Sequence, residues 1–164
     1  MITSAPETTA PDAIDLSPAE RSVLLAEVSP FAATLGDPAL RARYALLHEA
    51  VEAGQVPPSL VGLVEALAEL ILQTQRVRRQ HGPEAERALA ALYYRTPRGA
   101  GLRRASEEVS QALGALRGQR LDGLDFAPTP GGQRLRITTE QGQIEVLIDR
   151  AGVRIERVDL GSAL

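Results

Sequence analysis

The run "YYRTPRGAGLRR", from Tyr93 to Arg104, sets two tyrosines and four arginines around a Pro-and-Gly break. Guanidinium forks hold phosphate and carboxylate oxygens in pairs, and a turn that opens a helix adds unpaired N–H groups at the positive end of the dipole. With "RVRR" just upstream and Tyr94 turned away from the core, the stretch also has the makings of a single-stranded nucleic-acid surface. The candidate set is Arg76, Arg78, Arg79, Tyr94, Arg95, Arg98, Arg103 and Arg104. The competing reading is a solvated turn between two helices. Arg103–Glu107 and Arg104–Glu108 stand at i,i+4 and Glu84–Arg87 at i,i+3, so part of the charge is matched locally. Arginines near a helix C-terminus also complement its dipole with no ligand present. "GAG" lacks the third glycine and the preceding strand of a dinucleotide fingerprint. The turn is the preferred reading.

Other chemistries are bounded by composition. All 18 basic residues are arginine, and the chain holds neither lysine nor asparagine, a bias expected of a GC-rich, bacterial genome. Without lysine there is no Schiff base and no P-loop cation. Without cysteine there is no disulfide, thiolate nucleophile or zinc ribbon. His48 and His81 each lack a second ligand at metal spacing, and His81 at a helix end is favoured by the dipole alone. Asp122 and Asp125 in "LDGLD" have the type to hold a divalent ion, yet Asp-Gly reads more plainly as a turn. A Gly-x-Ser-x-Gly elbow is missing. The expectation is no catalytic constellation, no metal and no cofactor.

Charge is uneven along the chain, with a net of −5 over residues 1–56, +4 over 57–120 and −2 over 121–164. The most apolar run, "LVGLVEALAELILQ", carries Glu65 and Glu69 and falls short of the ~20 residues a spanning helix needs. The N-terminus has no basic-then-apolar leader pattern, so the expected location is cytoplasmic, with no membrane partner.

The elements that must position these residues follow from periodicity. Residues 1–16, rich in Ser, Thr, Pro and Ala, read as a disordered tail. "SPAE" starts a first helix with Ser17 as cap, Pro18 at the first position and Glu20 closing a capping box; Pro30 should bend or interrupt it. "DPAL" starts a second, with Leu40, Tyr44, Leu47 and Val51 on one face and Gly54 as the stop. Ser59 is expected to cap a third helix. Its polar residues Glu65, Glu69, Gln73 and Arg76 form one thin strip, which makes it the central core element in preference to an oligomer interface. "HGPE" divides it from a fourth helix with Ala85, Leu89, Leu92 and Tyr93 inward. A fifth is expected from about Leu102 to Arg117, closed by Gly118.

Beyond Gly118 the period changes to two. "RLRITTE", "QIEVLID" and "VRIERVDL" read as strands, and "LDGLDF" adds a further one. With Gln141 and Gly142 as the loop, Thr139 opposes Ile144, Ile137 opposes Val146 and Leu135 opposes Ile148, all on one face. A bulge is expected near Arg157. The fold expected is α+β: an N-terminal bundle of about five helices over 17–118, then a three- to four-stranded antiparallel β-meander over 120–160. Residues 17–164 are taken as a single domain. The leading functional expectation is a non-catalytic module that binds protein, itself included as a homodimer; the alternative is nucleic acid or phosphate held by the arginines of 76–104.

Overall fold

A computed structural model describes residues 12–161. Five helices precede a four-stranded antiparallel meander, an α+β arrangement that matches the sequence expectation. The chain divides into two compact units after Gly99.

In the N-terminal unit, β1 (Ile14–Asp15) pairs antiparallel with β2 (Gln55–Val56). Ile14 and Val56 are buried together at the pair. The tail expected over 1–16 thus overlaps an ordered strand, too short for its apolar period to register; residues 1–11 lie outside the described residues. α1 (Pro18–Thr34) begins with the expected capping box, Ser17 Oγ accepting the Glu20 N–H while Glu20 Oε2 accepts the Ser17 N–H. Pro30 does not interrupt α1, which runs on to Thr34. α2 (Pro38–Ala53) is capped by Asp37 and stopped by Gly54 at φ 86°, the left-handed conformation glycine adopts freely.

α3 (Pro58–Gln73) starts earlier than expected. Pro58 occupies its first position after Pro57, so Ser59 lies inside the helix and does not cap it. Leu60, Val61, Leu63, Val64, Leu67, Ala68 and Ile71 are all buried, which makes α3 the core of this unit. Packing fixes this helix without a side-chain cap. α4 (Arg76–Tyr93) is divided from α3 at Gln75, a non-glycine residue at φ 53°, and is itself kinked at Gly82, φ 85°. The break expected at "HGPE" is present as that kink, but the end of α3 comes earlier, so Arg76–His81 is a short helical segment with a positive-φ residue on each side.

α5 (Pro97–Gly114) also begins earlier than expected. Thr96 and Pro97 form a cap and first position, so "PRGAG" is helical and not a loosened loop.

In the C-terminal unit, β3 (Leu121–Thr129), β4 (Gly132–Thr139), β5 (Gly142–Asp149) and β6 (Gly152–Leu160) pair in sequence order. Asp-Gly at 122–123 is not a turn; it lies within β3, at a register shift between Leu121 and Gly123. The β4–β5 loop is Glu140–Gln141, with Thr139 opposite Gly142, Ile137 opposite Ile144 and Leu135 opposite Val146. The expected register was displaced by two residues, which leaves every side chain on its expected face. The bulge near Arg157 is present: Glu145 opposes Arg157 and Val146 opposes Ile155, leaving Glu156 as the extra residue. Val109 of α5 is buried with Ile144 and Val146, and Ala112, Leu113 and Leu116 pack beside it over Leu135, Val153 and Ile155.

Candidate functional site

The corner between α4 and α5 is built from Thr96 outward. Its hydroxyl is fully buried, donates to the Tyr93 carbonyl at 2.7 Å and accepts the Gly99 N–H at 3.3 Å. The next free donor of the α5 N-terminus, the Arg98 N–H, is taken by Glu65 Oε2 of α3 at 2.8 Å. Pro97 has no N–H to offer. The Arg98 guanidinium then closes on Glu69 at 2.9 Å, one helical turn from Glu65. A helix N-terminus with arginine beside it is an anion site in principle. Here the anions are the chain's own carboxylates, drawn from the polar strip of α3. The passage of backbone is tight as well: a Cβ on Gly99 would fall on the carbonyl of Tyr93.

The arrangement has an electrostatic consequence. Burial pushes the Tyr93 phenol above its ordinary value, with Glu69 and Glu65 adding to the rise and Arg98 opposing it. Tyr93 lies inward and Tyr94 outward, as their spacing on α4 predicts, with ring centroids 5.9 Å apart.

The remaining candidates in this unit do not gather at that corner. Arg95 reaches the other way, donating to the Asp15 carbonyl at 2.9 Å and to Glu20 at 2.6 Å, so that the carboxylate of the α1 capping box is shared. Arg78 lies 3.6 Å from Glu86 across the Gly82 kink. Arg76 approaches Glu27 of α1 at 3.3 Å, and Arg79 donates to the Thr74 carbonyl at 2.9 Å. Arg76 and Arg79 do share one cavity, whereas Arg95 lines a different one. Of the five arginines, Arg76, Arg78, Arg95 and Arg98 are therefore held by carboxylates and Arg79 by a carbonyl. In the C-terminal unit Arg103 stands 3.9 Å from Glu107, while Arg104 has no ion-pair partner among the described residues.

Sequence reasoning missed Glu27. Its carboxylate is 2% exposed and is bracketed by His81 Nε2 at 3.0 Å and Arg76 Nε at 3.3 Å, tying α1 to the short Arg76–His81 segment. Nothing in the spacing of α1 signals this partner, because it lies 54 residues away. His48 lies 3.9 Å from Glu52, one turn on along α2.

A second feature is apolar. The strand register lines up Leu121 with Thr139, Leu124 with Ile137 and Phe126 with Leu135, all on the sheet face that α5 covers over β4, β5 and β6. The β3 column of that face is open, with Leu121 56%, Leu124 65% and Phe126 56% exposed. Val158 and Leu160 on β6 are also exposed. Among the described residues there is no group of three His, Asp or Glu placed to hold a metal ion, and no helix long and apolar enough to cross a membrane. No protein-family model, curated protein or solved structure matches this chain.

Proposed function

We propose that this chain acts as a protein-binding module, engaging its partner through the open β3 column of the C-terminal sheet. The observation that carries the reading is the row Leu121, Leu124 and Phe126, each more than half exposed on a sheet face whose other strands are roofed by α5. Three large apolar side chains on one face of one edge strand form a continuous strip, and strips of this kind on soluble proteins mark contact surfaces. The edge itself is less inviting. β3 carries a register shift at Asp122 and a proline at 128, devices that discourage backbone pairing with another chain. Contact through the side-chain face is therefore favoured over strand addition, and a second copy of the chain is the first partner to try.

Light scattering on the full chain across a concentration series tests this. Self-association should rise with concentration, and Leu124→Glu with Phe126→Glu should abolish it while leaving the melting temperature at the dilute, monomeric end of the series close to wild type, because both side chains are already more than half exposed. A strict monomer at every concentration removes the self-association reading. Nucleic-acid binding through the arginines has weaker support, since they do not gather on one surface: Arg95 turns to Glu20 and Arg98 to Glu69, while Arg76 and Arg79 line a separate cavity; retention on heparin that falls steeply with salt is its signature.

A further inference from the structure

A cavity of about 510 Å³ opens in the N-terminal unit beneath the Arg76–His81 segment. Its wall is apolar and comes from Phe31 of α1 and Leu67, Leu70 and Ile71 of α3. Leu67 and Ile71 are core residues seen at its floor, and Leu70 is 44% exposed at its lip. Two guanidiniums stand over this wall. Arg76 donates its Nε–H to Gln80 and lies 3.3 Å from the Glu27 carboxylate, and Arg79 donates one Nη to the Thr74 carbonyl. The two Nη atoms of Arg76, and Nε and Nη1 of Arg79, have no hydrogen-bond partner among the described residues. Glu27 is the single acid in the lining, and it is already shared with His81.

An apolar wall beneath surplus positive charge recognises a ligand with both characters. A cation is repelled by the two arginines, and a wholly apolar molecule leaves their forks unused. A carboxylate on an alkyl chain satisfies both, its two oxygens matching the guanidinium fork and its chain lying on Leu67, Leu70 and Ile71. We propose that this cavity binds a small amphipathic anion of the alkyl-carboxylate class, with Arg76 and Arg79 as headgroup donors. The site is independent of the β3 strip, so either can fail without the other.

The test is amide NMR on the full-length chain titrated with sodium octanoate, with octan-1-ol and sodium acetate as the neutral and headgroup-only controls. Saturable shifts are expected at Phe31, Leu70, Ile71 and Thr74 with octanoate. Octanol should bind at least tenfold more weakly, and acetate should not saturate. Arg79→Gln should weaken octanoate roughly tenfold, as loss of a charge-assisted fork predicts, with Arg79→Lys falling between the two. Arg79 is exposed, so both variants should fold, and the unchanged remainder of the spectrum verifies it. Equal affinity for octanol and octanoate, saturable shifts confined to residues away from the cavity, indifference to Arg79→Gln or no saturable shift at all would each overturn the assignment.

Discussion

Glu65 accepts the backbone N–H of Arg98 at 2.8 Å, joining the middle of α3 to the first turn of α5 across 33 residues of chain. The bond performs the work of a capping side chain, but from a different helix, and it places a carboxylate where a free phosphate would otherwise be attracted.

Removing that carboxylate should both loosen the corner and uncover an anion site. Glu65→Ala is expected to cost about 1 kcal/mol, the range for a lost N-cap acceptor, and Glu65→Gln less. Sulfate should then raise the melting temperature of Glu65→Ala more than that of the wild type at matched ionic strength. Equal responses would mean that the α5 N-terminus does not attract anions even when vacated.

Two glycines of the same helix should respond in opposite senses. A Cβ at Gly99 meets the Tyr93 carbonyl and the Tyr94 Cα, whereas one at Gly101 meets nothing within 4 Å. Gly99→Ala must displace the Pro97–Gly99 turn from the Tyr93 carbonyl and should cost about 3 kcal/mol or more, at the upper end of what overpacking costs. Gly101→Ala relieves the entropic penalty of glycine in an exposed helical position and should stabilise by roughly 0.5–1 kcal/mol. Urea denaturation of the pair against wild type provides both readings.

Gly99 also shows where sequence reasoning stops. Two glycines after a proline read as loosened backbone, and only the position of a carbonyl on the preceding helix reveals that the first is needed for close approach. Gln75 is a similar case, a left-handed break with neither Gly nor Pro to announce it. The caps at Ser17 and Asp37 were legible because their partners lie within the same turn. The partners of Arg98 and Arg95, 33 and 75 residues distant, were not. In the sheet, alternation assigned each face correctly because a displacement of two preserves parity. The register itself differs because Gln141–Gly142 has the residue types of a two-residue loop, whereas Glu140–Gln141 forms it and Gly142 opens β5. Gly132, Gly142 and Gly152 each pair with the residue that opens their turn, Thr129, Thr139 and Asp149. That common placement was the signal available. The open β3 column could not be seen at all, since alternation says which face is apolar but not how many strands one helix covers.

Stability should fall at alkaline pH through Tyr93 and Tyr44. Burial raises both phenols above 10.0, reinforced at Tyr93 by Glu69 and Glu65 and opposed at Tyr44 by Arg43. The folded chain therefore holds these protons more tightly than the unfolded one. Their contribution is fully present below pH 10 and is lost as the pH rises through the raised folded values. Tyr93→Phe should flatten the decline above pH 10, and Arg98→Gln, which removes the opposing cation, should move the Tyr93 titration higher still. Tyrosinate absorbance followed alongside denaturant melts checks both; a titration of Tyr93 at its ordinary value would contradict the burial argument.

The Glu27 cluster should show a directional asymmetry, because its carboxylate is 2% exposed while Arg76 and His81 are 42% and 33% exposed. Arg76 and His81 can turn to water if the carboxylate is lost, but the buried carboxylate cannot do so if they are. Arg76→Ala with His81→Ala strands a buried charge and should cost about 3 kcal/mol or more, the penalty for breaking a buried pair from one side. Glu27→Leu replaces the carboxylate by an apolar group of similar volume beside Phe31 and Ile71, and should cost distinctly less. In the Glu27→Leu background, adding the two alanines should then change stability by only a few tenths of a kcal/mol, since the carboxylate that Arg76 and His81 bracketed is gone. Full additivity of the three substitutions in denaturant melts would show that Arg76 and His81 stabilise α4 by some route other than Glu27, and that the Arg76–His81 segment is not held down by this carboxylate.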